Sequence, residues 1–277
     1  MIKPILIVLS AFLLLPFFLD KDIHEQQALY NGKEKFSPQL SFLNTIHKLE
    51  KFTDAAAADK KIAVGSVAYT ELLENIVSHR FFHGFSHKTL QQDWITSLTD
   101  KIAGTHYSCL VLPEEIMQHP HAACSQQAIV MMEILKRKNI NYREIGFPHH
   151  FAMEASINGG WYYLDANMEP NIKGSQRLHQ NWYGQADSLK KYYNPDIHPD
   201  LSYGFGVGLM AEVNKTNEEQ APNLKSLQAA TGILSKLAWL FPVVLLFAFN
   251  KRSFKMYAIR PLGKYIRMQP MRPVFNS

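Results

Sequence analysis

Acidic residues are missing from both ends of this chain. None of its 24 Asp and Glu lies before Asp20 or after Glu219. Between residues 20 and 230 the acids outnumber the 20 Lys and Arg, so the pI near 9.0 is not spread over the protein. The excess of base sits in Lys3, Lys236 and a tail holding Lys251, Arg252, Lys255, Arg260, Lys264, Arg267 and Arg272. That distribution excludes a basic nucleic-acid-binding face on the middle of the chain and leaves nucleic acid out of its partners. Cysteine is scarce too. Cys109 and Cys124 leave room for one disulfide at most. No internal repeat is present, which removes solenoid and propeller architectures. With 47% hydrophobic and 19% charged residues, the chain has the composition of a folded protein rather than a disordered one.

The base-rich ends flank two apolar runs, residues 4–19 and 231–249. A membrane span needs about 20 mostly apolar residues. The second run meets this if Lys236 snorkels to the interface, and Pro242 is tolerable in a membrane helix. The first is a signal anchor or a signal peptide. No clean small-x-small cleavage site precedes Asp20, which favours the anchor. Basic residues favour the cytoplasmic side. Lys3 and the tail then lie inside and the middle lies outside. In a bacterium this is an inner-membrane protein with a periplasmic core and a cytoplasmic C-terminus. The divisions read as 1–20 anchor, 21–104 helical lead-in, 105–212 core, 213–230 polar linker, 231–249 membrane helix and 250–277 basic tail.

Apolar spacing predicts helices over residues 62–78 and over 87–104, the latter ending near Gly104, and both should pack beside a third helix that starts at Cys124. On that third helix Ala128, Met131, Met132 and Leu135 recur at helical spacing, and Lys136, Arg137 and Lys138 close it. Cys124 falls in the first turn, where unpaired N–H groups and the positive dipole end favour a thiolate.

Strand patterns follow at 141–147, 149–157 and 161–167. Asn158-Gly159 between alternating runs is a strong two-residue hairpin signal. With that turn, residues i and 317 − i face each other. Phe151, Met153, Ala155 and Ile157 then share a face with Leu164 and Tyr162. His150, Ala152, Glu154 and Ser156 share the other with Asn167, Asp165, Tyr163 and Trp161. His150 and Asp165 come within side-chain reach, and His149 should point to the apolar face.

Cys124, His150 and Asp165 therefore form a candidate thiol–imidazole–carboxylate set, with Asn167 as a fallback orienter. The imidazole takes the thiol proton, the carboxylate fixes the imidazole, and first-turn N–H groups can hold an oxyanion. Glu154 reads as a structural or rim residue, Trp161 as packing and Cys109 as a small buried residue. Two alternatives use the same residues. One is a Cys109–Cys124 disulfide in a structural membrane protein. The other is a metal site drawn from His119, His121, Cys124, His149 and His150, whose spacing matches no zinc pattern.

The order Cys124, "HFAME" and "GWYYLD" resembles the transglutaminase-like superfamily over residues 105–170. The resemblance implies an α+β, papain-like fold in which a cysteine-bearing helix packs on an antiparallel sheet. It implies Cys124 as nucleophile, His150 as base, Asp165 as orienting acid, and no cofactor. Ala123 stands where glycine is common and "DAN" where "DPT" is usual, which leaves the substrate open. The expected activity is that of a membrane-anchored, exported cysteine hydrolase (peptidase or amidase) or acyltransferase, acting on amide bonds of envelope peptides or proteins. The competing expectation is a catalytically silent binding subunit of an envelope or secretion assembly.

Overall fold

The computed structural model describes residues 2–24, 34–184, 186–198, 201–206 and 211–258, without the side chains of 186, 187, 202 and 250–258. The protein is α+β: ten α-helices and one four-stranded antiparallel sheet among the described residues. The chain divides into two compact units, one of Met1–Leu15 with Lys236–Ser277 and one of Pro16–Ser235. Residues 259–277, which hold Arg260, Lys264, Arg267 and Arg272 of the basic tail, lie outside the described residues, as does 25–33 of the lead-in.

In the larger unit, α2 (Ile46–Asp59), α3 (Val67–Arg80), α4 (Leu90–Ala103), the single turn α5 (Pro113–Ile116) and α6 (Cys124–Arg137) precede the sheet. Thr45, Ser66 and Thr89 cap α2, α3 and α4 by accepting a first-turn N–H. Gly104 closes α4 in the left-handed conformation at φ 65°. The sheet runs β1 (Tyr142–Gly146), β2 (Phe151–Ile157) and β3 (Gly160–Leu164), then α7 (Ala186–Lys190), α8 (Leu201–Phe205) and the two-residue β4 (Glu212–Val213), in the order β3-β2-β1-β4. Short 3-10 turns at Gly174–Arg177 and His179–Asn181 fill the excursion after β3.

The β2–β3 register is the one the turn dictates. Met153 faces Leu164, Ala155 faces Tyr162 and Ile157 faces Gly160. Asn158 (φ 50°) and Gly159 (φ 82°) both take positive φ, as a type I′ turn requires. The two faces separate as the alternation predicts. Met153, Ala155, Ile157 and Leu164 join a core with Ala128, Met131, Met132 and Leu135 of α6, and with residues of α2 and α3. Ala152 and Tyr163 join a second core with Ile145, Trp182, Leu189, Tyr193 and Phe205. Each fully buried aliphatic side chain contributes roughly 1.5–3 kcal/mol, so the first core alone fixes α6 on the hairpin.

Three expectations are corrected. Helix α4 is hydrogen-bonded to α9 (Pro222–Leu237), Trp94 Nε1 donating to the Ser235 carbonyl at 3.1 Å. Asp93 breaks α4 with an extended backbone, and its carboxylate accepts hydrogen bonds from Thr231 and from Ser235 (2.8 Å). The polar stretch 213–230 is therefore no free linker. Its first residue belongs to β4, and Gln228, with Thr231 and Ser235 beyond it, forms the face by which α9 docks. His149 does not point to the apolar face either. Phe147 N donates to the His150 carbonyl (2.9 Å), so a turn precedes β2, and exposed His149 stacks on Tyr203 (4.1 Å between centroids).

The run 231–249 is not one helix. It ends as α9 at Leu237 and resumes as α10 (Leu240–Ala258). Pro242 explains the break. Inside a continuous helix its ring would meet the Ala238 carbonyl, whereas a start at Leu240 puts it in a first turn that needs no N–H. No single helix among the described residues is long and apolar enough to cross a membrane, although α9 and Leu240–Phe249 qualify together by length and composition. In the smaller unit, α1 (Ile2–Leu14) packs along α10, and Ser10 Oγ donates to the Trp239 carbonyl at 2.9 Å.

Candidate active site

The hairpin places its polar pair where the ladder stops. His150 is the residue before β2 and Asp165 the residue after β3. Both are buried, and His150 Nε2 lies 2.7 Å from Asp165 Oδ2. That leaves Nδ1 as the ring nitrogen not engaged by the carboxylate. The Cys124 thiol lies near enough to His150 to add to the rise of its imidazole. The structure thus joins His150 to Asp165 and sets Cys124 in the neighbourhood of the imidazole.

Electrostatics favour a charged imidazole. Burial alone would push His150 down. The Asp165 carboxylate beside it outweighs burial, the Cys124 contact adds to it, and the imidazole is raised to about 10. Asp165 moves the other way. Burial would raise it, but the charge and hydrogen bond of His150, with donors from Tyr193 and Met168, hold it below the ordinary carboxylate value.

Asp165 is saturated with donors. Its Oδ2 accepts from His150 and from Tyr193 Oη (2.8 Å), with Tyr163 Oη at 3.4 Å. Its Oδ1 accepts from Met168 N (3.1 Å). Tyr163 and Tyr193 also bond to each other at 2.8 Å. Burial and the Asp165 charge push both phenols far above their ordinary value, so they stay protonated and act as donors. The Asp165 backbone N–H donates to Glu74 Oε1 (2.6 Å). Glu74 is held by Arg177, whose Nη2 lies 2.6 Å from Oε2 and whose Nη1 donates to the Tyr163 carbonyl (2.8 Å). Nothing in the local sequence signals Glu74 or Arg177, since they lie about 100 residues apart. Tyr193 lies 28 residues beyond Asp165 in a loop-like stretch and was equally hidden.

The wall behind His150 is aromatic. Phe147 stacks on it at 6.1 Å, Phe205 lies at 5.3 Å, and the Gly204 carbonyl accepts from His149 N. These rings exclude water from the imidazole–carboxylate bond and strengthen it.

Cys124 is the first residue of α6 and is partly exposed, as a nucleophile must be. Ala123 at the cap position has no side-chain oxygen, so no cap claims the first-turn donors. The turn is positioned from the side instead. Buried Gln126 accepts from Ser86 N (2.9 Å) and Ala123 N (3.2 Å), and donates to the carbonyls of Ser86 and Leu110. Gln127 Nε2 (3.0 Å) and Asn167 Nδ2 (3.5 Å) both donate to the Ala122 carbonyl. Asn167 therefore holds the segment before Cys124 and is not bonded to His150.

The remaining candidates have other surroundings. Glu154 is fully buried between Arg143 (2.7 Å) and His179 (2.9 Å). Trp161 lies under the Arg143 guanidinium at 4.2 Å. Cys109 and Cys124 are both free thiols. Burial and the charges of Asp100 and Asp22 push Cys109 up to about 12, which keeps it an inert thiol. His119 and His121 have neighbouring rings (5.9 Å), whereas His149 turns onto Tyr203; among the described residues no three His, Cys, Asp or Glu could hold a metal ion.

Comparison with known proteins adds no relative: no family model, no curated protein and no solved structure matches the chain.

Proposed function

We propose that this protein is a cysteine hydrolase or acyltransferase of the transglutaminase-like type, acting on amide bonds of peptides or proteins through a thioester. One observation carries the reading. The His150 imidazole is held by Asp165 at 2.7 Å through Nε2, and Cys124, the first residue of an uncapped helix, lies near enough to add to its rise. A buried pair serving stability alone needs no thiol at a helix start.

The chemistry follows from those groups. The Cys124 thiolate adds to the amide carbonyl carbon, and the oxyanion is met by first-turn N–H groups of α6. The C–N bond breaks, the amine leaves with the proton from the His150 imidazolium, and a thioester remains. Water, or an acceptor amine, then gives a proton to His150 as its oxygen or nitrogen attacks the thioester. The acyl group departs and the thiolate returns with the imidazolium. Asp165 keeps the imidazole oriented and stabilises its charge throughout. Hydrolysis is the simpler outcome, since water needs no second binding site.

The proposal places the protein in a plasma membrane with its larger unit on the extracytoplasmic side, where envelope peptides or proteins are the substrates. The apolar faces of α1 and α10 support this. Ile5, Val8 and Phe12 on one, and Phe241, Val244 and Phe247 on the other, are exposed. A lipid phase would cover them.

The test is the rate of Cys124 alkylation against pH, read by peptide mass, in the wild type and in His150→Ala. Rapid alkylation near pH 6, where an ordinary thiol is protonated, and its loss in the variant are expected. Alkylation that tracks an ordinary thiol, or that ignores the substitution, overturns the reading.

A further inference from the structure

A cavity of about 850 Å³ is lined by none of the three residues, but two of its wall residues are bonded to Asp165 and to the segment before Cys124. Tyr193 lines it and donates to Asp165. Asn167 lines it and donates to Ala122, two residues before Cys124. His83 lines it too, and its neighbour Phe82 exchanges backbone hydrogen bonds with Pro120 and Ala122. The cavity therefore shares walls with the supports of Asp165 and of the segment that leads into Cys124.

The charge inside it is unbalanced. Its described lining holds three lysines and two acids, and both acids are engaged. Glu169 is paired with Lys35 at 2.8 Å, and Glu34 with His83 at 3.4 Å. Lys173 and Lys191 are exposed and make no ion pair among the described residues; the Lys191 ammonium lies 5.0 Å from the centre of the Tyr192 ring. Burial, with the neighbouring His83, presses the His198 imidazole below its ordinary value, so it adds no fixed charge. Two ammonium groups therefore remain for a visitor. They are lysines rather than the planar arginine forks that suit phosphate, and side-chain amides of Asn171, Gln176 and Asn194 stand among them, matched to a peptide.

We propose that this cavity receives an acidic segment of the peptide substrate, its carboxylates held by Lys173 and Lys191. The inference rests on the reading of Cys124, His150 and Asp165 as an amide-cleaving site and names the substrate class of that site.

Binding tests it without turnover. The probe is a fluorescein-labelled pool of hexapeptides carrying two glutamates, with the same pool carrying glutamine in their place. Fluorescence polarisation is read on the full-length Cys124→Ser protein in neutral detergent. The acidic pool should bind about tenfold more tightly, a difference that corresponds to about 1.4 kcal/mol, and the preference should shrink as salt screens the ammonium groups. Lys173→Ala with Lys191→Ala should abolish the preference, and Lys173→Arg with Lys191→Arg should keep it. Equal binding of the two pools, no binding of either, or a preference that survives the alanine pair overturns the proposal. Turnover of the same pools by the unsubstituted protein separates the two readings. A pool that binds through these lysines beside a Cys124 that alkylates as an ordinary thiol leaves the cavity standing and removes the enzyme.

Discussion

Asp165 and Asp93 are both almost completely buried carboxylates, and they serve different ends. Asp93 is met by Thr231, Ser235 and the Thr96 N–H, groups that neither carry charge nor change protonation near neutral pH. It fastens α9 to α4. Asp165 is met by phenols, a backbone N–H and one titratable imidazole, which the nearby Cys124 thiol also helps to raise. Burial and full hydrogen bonding are common to both. What separates a candidate catalytic carboxylate from a fastening is a partner able to take up and give back a proton.

Substitutions at the two carboxylates and their neighbours should diverge accordingly. The largest effect is expected at His150. His150→Ala removes the proposed base and should lower turnover of any cleavable amide by about 10²–10⁴-fold, measured as kcat/KM on a peptide pool, and a fall of less than tenfold would break the contrast.

Asp165→Asn comes next. It leaves a buried imidazole without its anion and should cost about 3–5 kcal/mol of stability. The loss should depend on pH. His150 is raised to about 10 from an ordinary 6.5, so the pair's contribution is complete below about 6.5 and fades as pH climbs through 10. Asp165 is depressed, so the contribution is also lost as pH falls below the ordinary carboxylate range. The Tm difference between wild type and variant should be widest from about pH 4 to 6.5, narrowing on both sides. A difference that grows above pH 8 would contradict the assignment.

Asp93→Asn should be milder and of another kind. It disturbs hydroxyl donors at a cost of about 1–3 kcal/mol and should leave Cys124 alkylation unchanged at every pH. Altered alkylation would join the two carboxylates into one system and remove the contrast.

Tyr193→Phe is the smallest. It takes one of four donors from Asp165 and should lower kcat several-fold while KM holds, with a loss of about 1 kcal/mol in denaturant titration. An unchanged kcat would make Tyr193 a packing residue only.

The contrast also marks what could be read from the chain beforehand. The surroundings of Asp165 were partly legible because they are local. Asn158-Gly159 forces one turn, the turn sets i with 317 − i, and that register brings residues 150 and 165 together. The Cys124 helix was legible from its apolar spacing. Glu74, Arg177 and Tyr193 were not, because ionic and phenolic partners recruited from distant loops leave no periodicity. Asp93 was hidden in another way. It sits in a stretch that reads as one helix, and its partners Thr231 and Ser235 lie in a run that reads as one membrane span. Polar residues on a docking face resemble a solvated tether when only their composition is seen.

The sequence by itself determined the hairpin, its register, the helix beginning at Cys124 and the spacing that lets imidazole and carboxylate meet, because backbone sterics and side-chain alternation act over a few residues. Only the tertiary structure decided that the imidazole is sealed by Phe205, that Asp165 is held by Tyr193 and by the Glu74–Arg177 pair, that α9 is bound to α4, and that a lysine-lined cavity is walled in part by Tyr193 and Asn167. Those contacts join segments tens to more than a hundred residues apart, beyond the reach of backbone sterics and side-chain alternation.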